Sequence, residues 1–443
     1  EDEDVMIKNL QATRKFSDPE NMVLNFMPDE FRFEVAQCNG CGVCTSTQKG
    51  TAMCPVYRAT GDELACSRAK ANLLRAALTG LIDEEDLQSD EFKRILSMCI
   101  NCKRCSVECP SGVDISKLIV ETRAELSNKK GLSLTEKILS KNRFLSMAGG
   151  MFGPLSNLFI KLGAFKWLLE KTAGFDRRRP MPSFSAGSFI KKARWHIESL
   201  PQISKPVDKA AYFTDTFVAG NDHQLGFAVI DCLHHNDIEV VIPDQRPAPV
   251  PAFVYGDIKT ARKDLKSNVE SFAKAVRDGY KIICSEPSAA LCLTEELRLL
   301  DNSEDAKLVS ENTYELMSYL SDLNTAGKLK KGSNIQQRYI YHEPCHLAAI
   351  GKGAKCIGLL KDLTGAEIRN IKAGCCGLSG TYGMQKKNYD LSVEIGQVLA
   401  DAVNAADEPF AMTECAACKM QIEHLTDKTV VHPIEVLAKS YGL

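Results

Sequence analysis

The chain has 443 residues, 44% hydrophobic and 25% charged, the balance of an ordinary globular protein with material for about three domains. With 55 basic against 57 acidic residues and a net charge of −2, it offers no electrostatic basis for binding nucleic acid. Its 18 cysteines stand in tight CxxC-type groups, not scattered as in a small secreted disulfide framework. That pattern points to metal ligation in a reducing compartment, either the cytoplasm or the cytoplasmic face of a membrane.

The acidic start at residues 1–4 has no basic segment leading into an apolar run, so no secretory signal is expected. No uninterrupted apolar run reaches the roughly 18 residues of a membrane-spanning helix. The nearest approach, 144–160, is broken by Ser146, Pro154, Ser156 and Asn157. It is expected to form a buried or partner-docking helical segment, with peripheral contact to a membrane surface as the alternative.

Residues 1–36 are polar with scattered apolar positions (Val23, Leu24, Phe26, Phe31, Phe33) and read as an N-terminal arm or docking segment. Cys38-Asn-Gly-Cys41-Gly-Val-Cys44 follows, with Cys54-Pro55 nine residues later. Cys99-Ile-Asn-Cys102-Lys-Arg-Cys105 repeats the pattern, with Cys109-Pro110 after three residues. This is the spacing that holds a cubane [4Fe-4S] cluster in bacterial ferredoxins, where the fourth cysteine serves the neighbouring cluster. The expected assignment is therefore crossed. One cluster takes Cys38, Cys41, Cys44 and Cys109; the other takes Cys99, Cys102, Cys105 and Cys54. Structural zinc is the other common use of CxxC, and two complete motifs of this form favour clusters. Cys66 fits neither motif and reads as a small core residue.

Helices are expected over 66–79, 84–98 and 114–127, which makes 37–130 an all-helical ferredoxin-like domain. Residues 131–208 read as a linker, helical from about 132 to 171 and then carrying the basic strip Arg177-Arg-Arg-Pro-Met-Pro182. That strip is expected to be a solvated or ion-paired loop, with binding of a phosphate or an acidic partner as the alternative.

From residue 209 short β-branched runs alternate with helical stretches, as in α/β domains. Strands are expected at 212–214, 238–242, 281–284, 338–341, 366–371, 410–413 and 429–431. The halves 209–325 and 326–443 form an internal duplication. Tyr212-Phe-Thr-Asp-Thr216-Phe217 lies over Tyr341-His-Glu-Pro-Cys345-His346, and Glu286-Pro-Ser-Ala-Ala290 over Glu414-Cys-Ala-Ala-Cys418. The second half carries Cys345, Cys375, Cys376, Cys415 and Cys418 where the first has Thr216, Arg246, Pro247, Pro287 and Ala290. Five thiols exceed the four ligands of one zinc or one cubane, which points to a larger or non-cubane iron–sulfur centre. Zinc, or ligation by only part of the set, is the alternative. His342 and His346 flank Cys345 either as partners of a sulfur or as structural histidines. Cys232, Cys284, Cys292 and Cys356 read as core.

Two four-cysteine motifs, a helical linker and a duplicated cysteine-rich region together resemble a known family. It comprises the iron–sulfur subunits of glycolate oxidase and anaerobic glycerol-3-phosphate dehydrogenase and the catalytic subunit of membrane heterodisulfide reductase. The stretches Cys38-Asn-Gly, Met53-Cys-Pro-Val-Tyr-Arg-Ala-Thr60, Asp62-Glu63, Ala71-Asn-Leu-Leu-Arg75 and Glu286-Pro-Ser also resemble the iron–sulfur half of FAD-linked D-2-hydroxyacid dehydrogenases. The resemblance implies an α + α/β fold: the helical two-cluster domain, the helical linker, then two duplicated α/β CCG domains, degenerate at 209–325 and complete at 326–443.

For Cys345, Cys375, Cys376, Cys415 and Cys418 the resemblance implies a non-cubane [4Fe-4S] centre. It further implies FAD on a partner dehydrogenase subunit, or on a part of the polypeptide absent here, since no flavin-binding pattern precedes residue 37, and an acceptor such as quinone or another redox protein. The chain then serves as an electron-transfer subunit without a general base or nucleophile of its own. The alternative is a heterodisulfide-reductase-like enzyme that reduces a disulfide or thiol substrate at the five-cysteine centre. Absence of ligands from the first repeat disfavours a reductase that needs two such centres.

Overall fold

The computed structural model describes residues 22–27, 29–48 and 50–443, so the acidic start and most of the expected arm lie outside the described residues. The chain divides between Gly131 and Leu132 into two compact units.

In the first unit the helices Pro55–Thr60, Ser67–Leu78, Asp90–Ser97 and Ile115–Lys130 enclose a core that includes Val35, Ala71, Leu74, Leu96, Leu118 and Ile119. Their starts follow from local chemistry. Pro55 opens its helix where no N–H is needed. Asp114 caps Ile115–Lys130 by accepting from the N–H groups of Ser116 and Lys117. The single helix expected over 84–98 is instead a 3-10 turn, Asp86–Gln88, followed by Asp90–Ser97. Ser89 divides them: its backbone is extended, and its hydroxyl accepts from the Phe92 N–H. The described part of the arm packs onto this unit. The N–H groups of Val23 and Leu24 donate to the buried Glu121 carboxylate at 2.6 and 2.7 Å, and Phe31 and Val35 enter the core.

The second unit begins with the helices Leu134–Ser140, Asn142–Met151, Gly153–Phe159 and Gly163–Ala173. Two sheets of four parallel strands follow. One contains β1 (Asp208–Phe213), β2 (Ile238–Val241), β3 (Lys281–Cys284) and β4 (Thr313–Glu315) in the order β2-β1-β3-β4. The other contains β5 (Arg338–Tyr341), β6 (Glu367–Asn370), β7 (Phe410–Met412) and β8 (Thr429–Val431) in the order β6-β5-β7-β8. The identical order is the structural form of the duplication. Parallel neighbours require helical crossovers, and each repeat supplies them from the same places. Strand β4 escapes the sequence reading because it is three residues long and ends in a glutamate. Its equivalence to β8 was the available signal.

The helix His223–His235 of the first repeat packs on Pro433–Tyr441 of the second, and Leu316–Thr325 of the first packs on Lys355–Thr364 of the second. These pairs exchange roles under the duplication, so the repeats face each other about an approximate two-fold. Their shared core runs through Tyr212, Val229, Leu233, Leu320, Tyr341, Leu360 and Leu437, and Cys232 and Cys356 lie in it. Each fully buried aliphatic or aromatic side chain contributes roughly 1.5–3 kcal/mol, so the repeats are held as one body.

Candidate metal centres

The two CxxCxxC segments share one backbone trace. Gly40 and Gly42, on either side of Cys41, have φ of 75° and 77°, and Asn101 and Lys103, on either side of Cys102, have φ of 53° and 59°. Left-handed residues on both sides of the middle cysteine curl each segment into a tight loop. Glycine supplies that conformation freely in the first motif; in the second, asparagine tolerates it and Lys103 takes it up with strain.

Buried sulfur atoms here receive backbone donors. The Arg68 N–H points at Cys44 Sγ at 3.3 Å, while Cys54 Sγ lies 3.4 Å from the Ala65 carbonyl. The Cys54 N–H donates to the Cys44 carbonyl at 3.3 Å. Burial pushes the Cys54 thiol up, and the neighbouring charge of Cys99 pushes it the same way, so Cys54 stands within electrostatic reach of the other motif. Glu108, next to Cys109, accepts from the N–H groups of Ala52 and Met53, both at 2.8 Å. The two Cys-Pro ends are thereby tied together.

Cys66 is more than a small core residue. Fully buried, it caps the helix Ser67–Leu78 by accepting from the Ala69 N–H at 3.3 Å. A hydrogen bond with Cys44, reinforced by that N–H, holds its thiol down at about 6 despite burial. Two buried lysines stand close to the motifs, Lys103 within the second. Lys70 donates to the Ala65 carbonyl, and Lys103 pairs with Asp114 at 3.1 Å, whose other oxygen is 3.8 Å from Cys105 Sγ.

Cys345, Cys375, Cys376, Cys415 and Cys418 lie at the carboxyl ends of the second repeat's parallel strands, where α/β sheets place ligands, while its sixth cysteine, Cys356, is in the core. Cys345 opens the helix Cys345–Ala349 after β5, Cys375 and Cys376 follow β6, and Cys415 and Cys418 begin the helix Ala416–Leu425 after β7. Each is less than a tenth exposed. Cys376 Sγ is 3.3 Å from Cys418 Sγ; Cys375 is hydrogen-bonded to Cys345 and Cys376, and Cys418 to Cys415. Hydrogen bonds from Cys375 and Cys418 bring Cys376 down to about 5 against the effect of burial. For Cys375 the bond with Cys345 pulls down, but the bond to Cys376 and burial prevail and push it up to about 12.

Such a file of buried soft donors fits a polynuclear iron–sulfur group. Among the described residues no three His, Cys, Asp or Glu side chains close around a single-ion position.

The first repeat contributes to this site without supplying a thiol. Its Glu286 accepts from the Ala416 N–H at 2.8 Å and is hydrogen-bonded to Cys415, while burial and then Asp215 raise it to about 7. Ser288, hydrogen-bonded to Glu286 at 3.2 Å, stands 3.0 Å from His346 Nδ1, so one chain of polar groups touches both edges of the cysteine set. His346 thus has a serine partner. His432 spans the repeats too: its Nδ1 accepts from the Ile434 N–H and its Nε2 donates to the Ser285 carbonyl at 3.0 Å. Burial lowers it to about 4. Of these residues His346 was weighed from sequence and Glu286-Pro-Ser was visible as a family stretch and as the counterpart of Glu414-Cys-Ala, whereas His432 was not singled out.

The three arginines part company. Arg177 pairs with Glu170, and Arg178 with Asp176 and Asp390. Arg179 is fully buried.

Comparison with known proteins gives two family matches: the 4Fe-4S dicluster domain over residues 34–113 and the cysteine-rich domain over residues 339–423. The chain is 30% identical to the C subunit of the anaerobic glycerol-3-phosphate dehydrogenase of Escherichia coli K12, over 75% of this chain and 83% of that protein. It is 24% identical to the probable glycolate oxidase iron-sulfur subunit of Bacillus subtilis, over 92% of this chain and 94% of that protein. With the D-2-hydroxyglutarate dehydrogenase of Escherichia coli K12 it shares 21% identity over 90% of this chain, which covers 43% of that protein.

Gly377 offers a direct test of how tightly the second site is built. It has φ of 82°, and a Cβ there would sit 2.3 Å from the Ser392 carbonyl. Gly377→Ala is expected to cost about 1–2 kcal/mol for the left-handed backbone alone, with the clash in addition. Thermal unfolding should fall by several degrees, and metal bound at the second repeat should fall with it. An unchanged melting temperature would show that the loop repacks freely.

Proposed function

Because the chain belongs to the family of iron–sulfur, cysteine-rich-domain subunits that includes the anaerobic glycerol-3-phosphate dehydrogenase C subunit and the glycolate oxidase iron-sulfur subunit, we propose that it is the electron-transfer subunit of a flavin-dependent dehydrogenase. In this reading a flavoprotein partner oxidises a 2-hydroxyacid or similar substrate, and this chain passes the electrons on to quinone or another redox protein. Bound iron–sulfur groups supply one-electron acceptance and release. The chain's own residues bind them through thiolates, exclude water, and aim N–H groups at sulfur, the contacts that tune potential.

The observation that carries the reading is the convergence of all five cysteines at one end of β5, β6 and β7, in a chain that also holds two cysteine loops of matched backbone.

The ligand sets follow the crossed assignment. Its support is Cys54 within reach of Cys99 and the clamp of Glu108 on the residues before Cys54. Cys345, Cys375, Cys376, Cys415 and Cys418 then hold a non-cubane four-iron centre. Anaerobically prepared protein should contain about twelve iron atoms per chain, against about eight plus zinc if the second repeat holds zinc. EPR spectra of Cys38→Ser and Cys99→Ser define the loss of each cubane. Cys109→Ser should reproduce the Cys38→Ser spectrum, and Cys54→Ser the Cys99→Ser spectrum. The opposite matching would refute the crossing.

A quinone acceptor favours a place at the cytoplasmic face of a membrane. Support comes from the helices Asn142–Met151, Gly153–Phe159 and Gly163–Ala173, which leave Met151, Phe152, Leu155, Leu158 and Trp167 at least half exposed, with Lys161 alongside. No helix among the described residues is long and apolar enough to cross a membrane, so this contact is a surface one. The chain should float with vesicles containing phosphatidylglycerol. Since each apolar side chain contributes roughly 1.5–3 kcal/mol when buried, Phe152→Asp with Leu155→Asp should weaken that binding more than tenfold. Undiminished flotation would dismiss the contact.

A further inference from the structure

Arg179 is the largest fully buried side chain among the described residues. Its place is fixed by backbone pairing: Phe175 forms an antiparallel bridge with Gln385, the Asp176 N–H donates to the Met384 carbonyl at 2.9 Å, and the Arg179 N–H donates to the Asp176 carbonyl at 3.1 Å. The guanidinium spends its hydrogen bonds on neutral acceptors. Nε donates to the Gly383 carbonyl at 2.9 Å, Nη2 to Ser392 Oγ at 2.8 Å, and Nη1 to Gln421 Oε1. Its face lies over the Tyr389 ring, 4.7 Å from the centroid.

Among the described residues no carboxylate forms an ion pair with Arg179. The nearest acidic neighbour along the chain, Asp176, has both carboxylate oxygens on Arg178, at 2.8 and 3.0 Å. A buried charge without an anion is costly, and proteins retain one where a charge of opposite sign faces it.

What faces Arg179 is the five-cysteine site. Gln421 lies one turn beyond Cys418 on the helix Ala416–Leu425 and so shares its face. Ser392, on the helix Tyr389–Asn404, presents its carbonyl to Gly377, and a Cβ at Gly396, four residues further along that helix, would come within 2.5 Å of the Cys376 carbonyl. Arg179 therefore stands one layer of side chains behind Cys376 and Cys418. Burial lowers the guanidinium's affinity for its proton, while its neighbours Tyr389, Asp176 and Cys376 act to hold that proton on. A thiolate-held iron–sulfur group is anionic and becomes more so when it takes up one electron, with no bond made or broken.

We propose that Arg179 is a built-in counter-charge for the group held by Cys345, Cys375, Cys376, Cys415 and Cys418, and that it raises that group's reduction potential. The inference rests on the reading that the site holds iron and sulfur, and it adds a positioning residue from outside both repeats. Loss of the cation disfavours the added electron.

The test uses the full chain, anaerobically reconstituted, with potentiometric EPR titration of wild type, Arg179→Gln and Arg179→Lys. Iron near twelve per wild-type chain establishes the centre independently of Arg179; iron near eight with zinc removes the underlying reading before any variant is compared. Given the centre, Arg179→Gln should shift the one-electron equilibrium at least tenfold toward the oxidised form, which is about 59 mV more negative. Arg179→Lys should restore most of the potential. If Arg179→Gln fails to retain the centre, retention in Arg179→Lys supports the charge role. An unshifted potential in Arg179→Gln, or equal loss of the centre in both variants, overturns the proposal.

Discussion

Thiols crowded into a buried pocket cannot all ionise: each new negative charge raises the cost of the next, and burial raises the cost of all. The second repeat meets this constraint at the ends of β5, β6 and β7, where Cys376 is drawn down by its neighbours while Cys375 and Cys418 are pushed up. Left alone, such a set would be a poor core. It becomes reasonable once a cationic metal group takes the charge. The surroundings are arranged for that outcome, with the Gly377 N–H on Cys375 at 3.4 Å, Glu286 beside Cys415, and Arg179 behind Cys376. The same logic recurs around the N-terminal loops, where Arg68 and Ala69 direct N–H groups at Cys44 and Cys66.

The duplication explains why a repeat without ligand cysteines persists in the structure. Packing about an approximate two-fold gives each repeat a partner for its crossover helices and one shared core. It also brings the strand ends of the first repeat against the site of the second. Glu286, Ser288 and the Ser285 carbonyl reach Cys415, His346 and His432 from there. The degenerate repeat thus supplies polar contacts around the five-cysteine site without contributing a thiol to it.

Cysteine spacing made most of the site legible, because short CxxC loops and adjacent cysteines restrict the geometry before any long-range contact is known. The existence of most strands followed from the alternation of β-branched runs with helical stretches and from the repeat, while their order within each sheet was not read. What remained hidden depends on pairings across long separations. Nothing local distinguishes Arg179 from Arg177 and Arg178, yet it alone is enclosed, because the segment around it pairs with Gln385. Cys66 looked spare because its contact with Cys44 needs the turn of the helix Ser67–Leu78. Ser89 was a local signal that the helical pattern of 84–98 obscured, and β4 was too short to show a period.

The central claim is that this chain receives electrons from a flavoprotein rather than from a substrate of its own. Its most direct test is anaerobic purification from the native host, followed by EPR of the iron–sulfur signals when 2-hydroxyacids or glycerol 3-phosphate are added with and without the co-purifying flavoprotein. Reduced-cluster signals are predicted only when the flavoprotein is present. Reduction of the isolated, flavin-free chain by substrate, or its turnover of a disulfide without a partner, would contradict the claim.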